Sequence, residues 1–96
     1  MDTKEAVVKR ILALCEEQHI AVNKLANLAG MPPMTVYSML NFKSKNPGIV
    51  NIRKLCDGLG ITLRQFFNVT EFDNLDEEID WKGGSTADCR VFIILI

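Results

Sequence analysis

Residues 22–41, with the sequence VNKLANLAGMPPMTVYSMLN, predict two short helices and the tight turn that joins them. The first helix spans residues 22–29, and its inward face carries Leu25 and Ala26 together with either Leu28 or Ala29. Gly30 follows at the position where a helix ends in the left-handed conformation, which glycine adopts at little cost. This stretch therefore marks a helix that stops sharply before the next one begins.

The second helix of the pair begins at Pro33 and runs to about Leu40 or Asn41. A proline in the first turn has its φ angle already set for a helix and sacrifices no N–H that the helix needs. Val36, Met39 and Leu40 share one face by helical spacing. The opposite face carries Met34, Tyr37, Ser38 and Asn41.

Three further helices flank this pair. A first helix carries the apolar stripe of a buried face and is capped by Asp2, with Glu5 three residues later. Its apolar residues are Val7, Val8, Ile11, Leu12, Leu14 and Cys15. A polar loop over residues 41–48 leads into a helix from about Ile49 to Leu59, which Gly60 stops.

Thr62 is placed to cap a short helix that holds Leu63, Phe66 and Phe67. Thr70 and Asp73 predict a cap for a sixth, acidic turn. In that turn Phe72, Leu75 and Ile79 would share a face.

Two helices joined by a glycine-containing turn form a helix-turn-helix, which presents the outer face of its second helix. The major groove of DNA admits one α-helix, so that face can reach the edges of the bases. The sequence resembles the lambda-repressor/Cro-like family, also called the xenobiotic-response-element family, over about residues 4–68. The resemblance rests on Leu25-Ala26-x-x-x-Gly30 and on the distal run Leu59-Gly60-Ile61-Thr62-Leu63.

The resemblance implies a compact all-α domain of five helices, followed here by an acidic, partly irregular C-terminal extension. It also implies a regulator of transcription that binds double-stranded operator DNA, usually as a homodimer, and we expect a repressor. The helix over residues 33–41 would be the recognition helix. The base contacts carried over are Pro33, Met34, Tyr37 and Ser38, and the phosphate contacts are Val22, Asn23, Asn41, Lys43, Lys45 and Asn46.

The sequence departs from the family pattern at both helix starts. Ala21 stands where a Ser or Thr cap is usual, and Met31-Pro32-Pro33 replaces the polar cap of the recognition helix. No Arg, Asn or Gln occurs from Pro33 to Leu40. Direct readout would then depend on apolar contact with thymine methyl groups and on the Ser38 hydroxyl.

Two of these features have other interpretations. Met34 and Tyr37 also suit a protein–protein interface, because Met and aromatic residues are enriched there. Lys43 and Lys45 also fit ordinary solvated lysines. The alternative function is an antitoxin-like or other protein-interaction module that keeps the helix-turn-helix fold and binds its partner through residues 71–96.

The net charge of −1 conceals two parts of opposite sign. Residues 1–70, the predicted DNA-binding domain, carry nine Lys and Arg against five Asp and Glu, and residues 71–96 carry two against seven. The basic part supplies attraction to DNA.

The apolar tail from about residue 81 has three competing explanations. It is a strand that pairs with the same strand of a second copy in a dimer, a partner-binding segment, or an extension foreign to the natural protein. We favour the last.

Neither an enzyme nor a cofactor is predicted. A single His, no nucleophile elbow and no Gly-rich phosphate loop leave no catalytic constellation. Cys15 and His19 have a spacing that can hold a metal, but a structural zinc site needs four ligands, so no metal site is expected. A thiol or metal switch through Cys15, Cys56 or Cys89 is a distant third hypothesis.

The N-terminus lacks a secretory pattern and the cysteines are odd in number, so we expect a reduced, cytoplasmic protein without a membrane segment.

Overall fold

A computed structural model of the protein describes residues 1–41 and 46–79, and every regular element in these ranges is helical. The predicted all-α class is therefore confirmed for this part of the chain. The five α-helices are α1 (Thr3–Glu17), α2 (Val22–Ala29), α3 (Pro33–Leu40), α4 (Ile49–Leu59) and α5 (Leu63–Phe67), and a short 3-10 helix spans Thr70–Asp73.

Three of the helices end in the same way. α2 and α4 are each followed by a glycine in the left-handed conformation, Gly30 and Gly60, with φ angles of 66° and 75°. The next residue in each case is apolar and donates its N–H to the carbonyl five residues earlier, from Met31 to Ala26 and from Ile61 to Cys56, both at 3.0 Å. This is the Schellman motif, which satisfies carbonyls that the helix leaves unpaired.

α1 ends in the same motif with a histidine in place of the glycine. His19 has a φ of 55°, and the Ile20 N–H binds the Cys15 carbonyl at 3.0 Å. The residues that follow the left-handed position then pack against the core, and Met31 is fully part of it. Each helix end is thus both capped and anchored by an apolar side chain.

Side chains cap two of the helix starts. Asp2 accepts the Glu5 N–H at 2.8 Å, as predicted. Thr62 and Gln65 form a full capping box at the start of α5. Ala21 and Pro32, which precede α2 and α3, provide no side-chain cap.

The core forms where α2 and α4, the most extensive helix pair, pack together against α1, α3 and α5. At Gly58 the two helices approach closely, because a Cβ atom added there would lie 2.8 Å from the Ala29 backbone nitrogen. The buried residues of the cluster are Val7, Ile11, Leu14, Cys15, Leu25, Ala26, Met31, Val36, Met39, Ile52, Leu55, Cys56, Leu59 and Phe66.

Two side chains of α1, and that of Gln18 just after it, bind carbonyls at the C-terminal ends of three other helices. Lys4 Nζ donates to the carbonyl of Asn41, one residue past α3, at 3.0 Å. Arg10 donates to the Phe66 and Gln65 carbonyls of α5, and Gln18 Nε2 donates to the Leu59 carbonyl of α4 at 3.0 Å. Cationic or N–H donors are stabilising near the negative C-terminal end of a helix dipole.

Two expectations about the helix faces are corrected or decided by the structure. Leu12 was placed on the buried face of α1, but its side chain is 46% exposed, because it lies one residue beyond Ile11 and points past the packed stripe. In α2, Ala29 rather than Leu28 turns inward, and Leu28 is 47% exposed.

The predicted sixth turn is only partly present. The 3-10 helix is preceded by Val69, and no side chain caps it, so the predicted Thr70 cap is wrong. Helical structure ends at Asp73, which leaves Ile79 exposed instead of in line with Phe72. A 3-10 helix has three residues per turn and usually occurs in short pieces. This geometry and the adjacent acidic side chains favour a short element here over a regular amphipathic helix.

The start of the acidic extension contacts the helical body. Phe72 packs against Phe67 with ring centroids 4.9 Å apart in an edge-to-face arrangement. The Asp76 carboxylate pairs with the Met1 amino group at 3.0 Å, and the Asp76 N–H binds the Met1 carbonyl at 2.9 Å. These contacts connect residues 72–76 to the helices that precede them.

Two sets of predictions lie outside the described residues. They are the loop lysines Lys43 and Lys45, and the linker and strand-like tail from Trp81 to Ile96. Within the described ranges, no helix combines the length and apolar character needed to cross a membrane.

Candidate nucleic-acid interface

α3 has one buried face and one exposed face, as its sequence pattern predicts. Val36 and Met39 are buried in the core, and Leu40 packs against it. On the other side Met34 is 80% exposed and Tyr37 is 47% exposed. The outer face of α3, defined as Met34, Tyr37, Ser38 and Asn41, consists of exposed residues at helical spacing.

The start of α3 is fixed by the turn before it. Pro32 is extended, and its carbonyl accepts the Thr35 N–H at 3.0 Å, so the helix is underway from Pro33. Met31 is buried in the core one residue earlier. The buried Met31 side chain and the extended Pro32 fix the turn between α2 and α3. The orientation of α3 relative to α2 is therefore set before the outer face of α3 begins.

Both prolines of the turn are exposed, so Pro33 stands at the N-terminal edge of the outer face. The four predicted base-contact residues, Pro33, Met34, Tyr37 and Ser38, are thus all exposed on one helix. Their chemistry is apolar surface with one phenol and one hydroxyl, and α3 contains no charged residue. Such a surface fits thymine methyl groups and leaves the hydroxyls for hydrogen bonds.

The N-terminus of α2 presents backbone rather than side-chain donors. Ala21 provides no cap, and the Val22 side chain is half-buried against the core, so a contact by Val22 would use its N–H. Asn23 is exposed beside it. The uncapped N–H groups and the positive end of the helix dipole suit an anion such as a phosphate group.

The C-terminal end of α3 lies beside α1. Lys4, Asn41 and Asn46 line one groove, and the Lys4 ammonium binds the Asn41 carbonyl. Asn46 is exposed there. Two of the predicted phosphate contacts are therefore brought together, whereas Lys43 and Lys45 lie outside the described residues.

Sequence reasoning did not single out two lysines near this surface. Lys24 is exposed in the first turn of α2, next to the predicted contact Asn23. Lys4 is far from α3 in sequence but meets its end in space. The place of Lys24 next to Asn23 in the sequence could have indicated that it lies near this surface. No local pattern could have indicated Lys4, because its contact depends on how α1 packs.

Within the described ranges, both cysteines lie in the core. Cys15 and Cys56 are both buried free thiols, and burial raises the pKa of each above its ordinary value. A thiol that stays protonated is a poor nucleophile and a poor metal ligand. His19 is exposed while Cys15 is buried, so the two do not face a common site.

Comparisons with known proteins agree with this arrangement. Residues 10–71 match the model of the Cro/C1-type HTH DNA-binding domain. The crystal structure of the prophage Lp1 protein 11 superposes with a TM-score of 0.69 at 36% sequence identity, covering 78% of this chain and 100% of that one. Among curated proteins, no sequence matches significantly. The match spans more than half of the chain and contains the helix pair α2–α3, and the chain therefore belongs to the family of Cro/C1-type HTH DNA-binding domains.

Proposed function

We propose that this protein is a sequence-specific transcriptional repressor that inserts α3 into the major groove of duplex DNA as a homodimer. The observation that carries the proposal is the outer face of α3, an exposed surface on a helix whose other face is buried and whose start is fixed by the Met31–Pro33 turn. Membership of the Cro/C1-type family supports DNA as the ligand. No catalytic step or cofactor is part of the proposal.

The contacts divide into two groups. Pro33, Met34, Tyr37 and Ser38 would meet base edges. The phosphate contacts would come from the N–H groups of Val22 and Asn23 and from the residues around the far end of α3, which are Asn41, Lys43, Lys45 and Asn46. Phosphate contacts fix the register of the protein on the duplex, whereas base contacts select the sequence.

Dimerisation and DNA shape would supply much of the selectivity. A bidentate base contact from Arg, Asn or Gln discriminates by about 1–3 kcal/mol, and α3 has none of these residues before Asn41. A dimer would place two copies of α3 in successive major grooves, about 34 Å apart. The net charge of +4 over residues 1–70 supplies attraction that does not depend on sequence. Under the proposal the protein acts in the cytoplasm, where Cys15 and Cys56 would stay reduced.

The experiment has two steps. Selection from random duplexes identifies a preferred site, and fluorescence anisotropy then measures affinity for that site at rising salt. We expect a selected palindrome-like site and an affinity that falls steeply with salt, because counterions are released on binding. Absence of binding at low salt, or binding indifferent to salt, would overturn the proposal.

Variants separate the two groups of contacts. Replacing Lys43 and Lys45 together by Gln should weaken binding to all sequences and reduce the salt slope by about 2. Met34→Ala and Ser38→Ala should instead change which bases are preferred. Arg64→Gln removes one charge from α5, away from the groove that Asn41 and Asn46 line, and should alter the slope least.

A second candidate rests on the apolar character of the outer face of α3. Met34 and Tyr37 are exposed without a charged neighbour on α3, which also suits a protein partner. In this candidate an antitoxin-like module would bind a partner protein, with residues 71–96 contributing. Removal of residues 80–96 tests the tail while keeping Phe72 and Asp76 on the helical body, and removal of 71–96 tests the division at residue 70. A defined partner lost on truncation, in a protein that binds no DNA, would favour this candidate.

A further inference from the structure

The end of α3 differs from the ends of its neighbours. α1, α2 and α4 end in Schellman motifs, in which the following backbone N–H groups bind back to the helix. α3 ends at Asn41, which is extended with φ −102° and ψ 178° and therefore turns the chain away from the helix axis. The Asn41 carbonyl accepts its hydrogen bond from another helix, through Lys4 Nζ at 3.0 Å.

α3 packs mainly on one neighbouring helix, α2. Val36 and Met39 are its buried side chains, and Leu40 also packs against the core. These apolar contacts hold the last turn on its inward face, whereas the Asn41 carbonyl beyond that turn is bound by a polar side chain. Lys4 binds at that point, 37 residues away in sequence.

We propose that Lys4 is a positioning residue for the recognition helix. Its ammonium group binds the Asn41 carbonyl one residue past the end of α3, where a cation is also favoured by the helix dipole, and it fixes the last turn of α3 and the direction in which the chain leaves Asn41. That direction sets where Asn41, a proposed phosphate contact in the same groove, stands relative to a phosphate group. The inference rests on the proposed DNA binding, and it assigns Lys4 an effect through α3 rather than a contact with DNA.

Gln18 offers a matched control, because it makes the same kind of bond to a different helix. Gln18 Nε2 donates to the Leu59 carbonyl at the end of α4, also at 3.0 Å. Lys4→Met and Gln18→Met each keep an aliphatic stem and remove one donor from a helix end. Lys4→Arg retains both the charge and the donor.

The first measurement is amide hydrogen exchange of the full chain without DNA. In Lys4→Met we expect faster exchange at the amides of residues 37–41, with the amides of α4 unchanged, and in Gln18→Met the reverse. Equal exchange at residues 37–41 in wild type and Lys4→Met would overturn the positioning role whether or not the protein binds DNA.

The second measurement is affinity for the selected duplex at several salt concentrations. Lys4→Met should weaken binding about fivefold to tenfold, the effect of one hydrogen bond, with the salt slope unchanged. Lys4→Arg should lie within about twofold of wild type, and so should Gln18→Met. A salt slope reduced by about 1 in Lys4→Met would make Lys4 a phosphate contact and overturn the inference, as would equal weakening by Gln18→Met.

The two measurements separate the inference from the function on which it rests. Wild-type protein that binds no duplex refutes the proposed DNA binding, and the positioning role falls with it, although hydrogen exchange still reports the bond at the end of α3. Wild-type protein that binds, together with Lys4→Met that binds equally well, refutes the positioning role alone.

Discussion

At the scale of single residues, Gly58 combines two opposing effects. Within a helix, replacing Gly by Ala gains about 1 kcal/mol through backbone entropy. At Gly58 the new Cβ atom would lie 2.8 Å from the Ala29 nitrogen and 3.0 Å from the Leu28 carbonyl carbon, both backbone atoms. Because backbone cannot rotate aside, α2 and α4 must separate, and such overpacking costs about 1–3 kcal/mol. We expect Gly58→Ala to lower the free energy of unfolding by up to about 2 kcal/mol, the overpacking cost less the entropic gain, measured by urea denaturation.

Ala13→Gly supplies the reference for that measurement. Ala13 is exposed in the middle of α1, so the change should lower the free energy of unfolding by about 1 kcal/mol through helix propensity alone. A Gly58→Ala protein that is more stable than wild type would show that the helix pair tolerates the added methyl group.

The two buried cysteines predict low thiol reactivity. Burial raises the pKa of Cys15 and Cys56, so the reactive thiolate is scarce near neutral pH, and the side chains are also shielded. In a Cys89→Ser background, we expect Ellman's reagent to label neither thiol rapidly at pH 8 in the native state, and to label both after unfolding in urea. Rapid stoichiometric labelling of the native protein would instead revive the thiol-switch hypothesis.

At the scale of elements, α1 stabilises the ends of the other helices. Arg10 donates from Nε to the Phe66 carbonyl at 2.7 Å and from its terminal nitrogen to the Gln65 carbonyl at 2.9 Å. Hydrogen bonds to a charged group contribute about 1.5–3 kcal/mol each when shielded, and less where solvent reaches them. We expect Arg10→Met to lower the free energy of unfolding by about 1–3 kcal/mol in urea denaturation.

Arg53→Met is the matched control for Arg10→Met. Arg53 pairs with Asp57 one turn later on α4, with both side chains more than half exposed, and the bond is 3.1 Å. An exposed pair of this kind contributes about 0.3–0.5 kcal/mol. Similar losses in the two variants would mean that Arg10 acts as an ordinary surface cation and not as a cap on α5.

At the scale of the whole molecule, the acidic extension is joined to the first residues of the chain by an ion pair. The Met1 amino group donates a hydrogen bond to the Asp76 carboxylate, and this bond, with the negative charge of the carboxylate, raises the pKa of the amino group above its ordinary value. The stabilisation is therefore complete below the ordinary amine pKa and is lost as the pH rises through the raised value. We expect Asp76→Asn to be less stable than wild type at pH 6, and the difference to vanish as the pH rises through the raised pKa of the amine.

Asp73→Asn makes the same change of charge in the same segment. Asp73 is exposed in the 3-10 helix, away from the Met1 amine contact. The stability difference between Asp73→Asn and wild type should not follow the titration of the amine, as measured by thermal unfolding across the same pH range. A difference for Asp76→Asn that persists unchanged at high pH would assign its effect to something other than the ion pair.

Much of the helical framework is predictable from local signals. The ends of α2 and α4 and the starts of α3 and α5 follow from Gly30, Gly60, Pro33 and Thr62, because a cap or a left-handed residue acts within one helical turn. The outer face of α3 is predictable for the same reason, since helical spacing alone separates Met34 and Tyr37 from Val36. Two predictions fail at this level. Leu12 lies at the margin of the apolar stripe of α1, and the predicted Thr70 cap belongs to a very short element.

The order of the helices, several of their ends and the exposed face of α3 follow from local sequence signals, because each depends on interactions within a few residues. Long-range contacts became visible in the folded structure alone. Lys4, Arg10 and Gln18 bind carbonyls of helix ends up to 56 residues away, and Phe72 and Asp76 contact the helical body. The partners of Lys4, Arg10 and Gln18 depend on how α1 packs across the other helices. Contacts of that kind have no periodicity along the chain, so no local pattern can predict them.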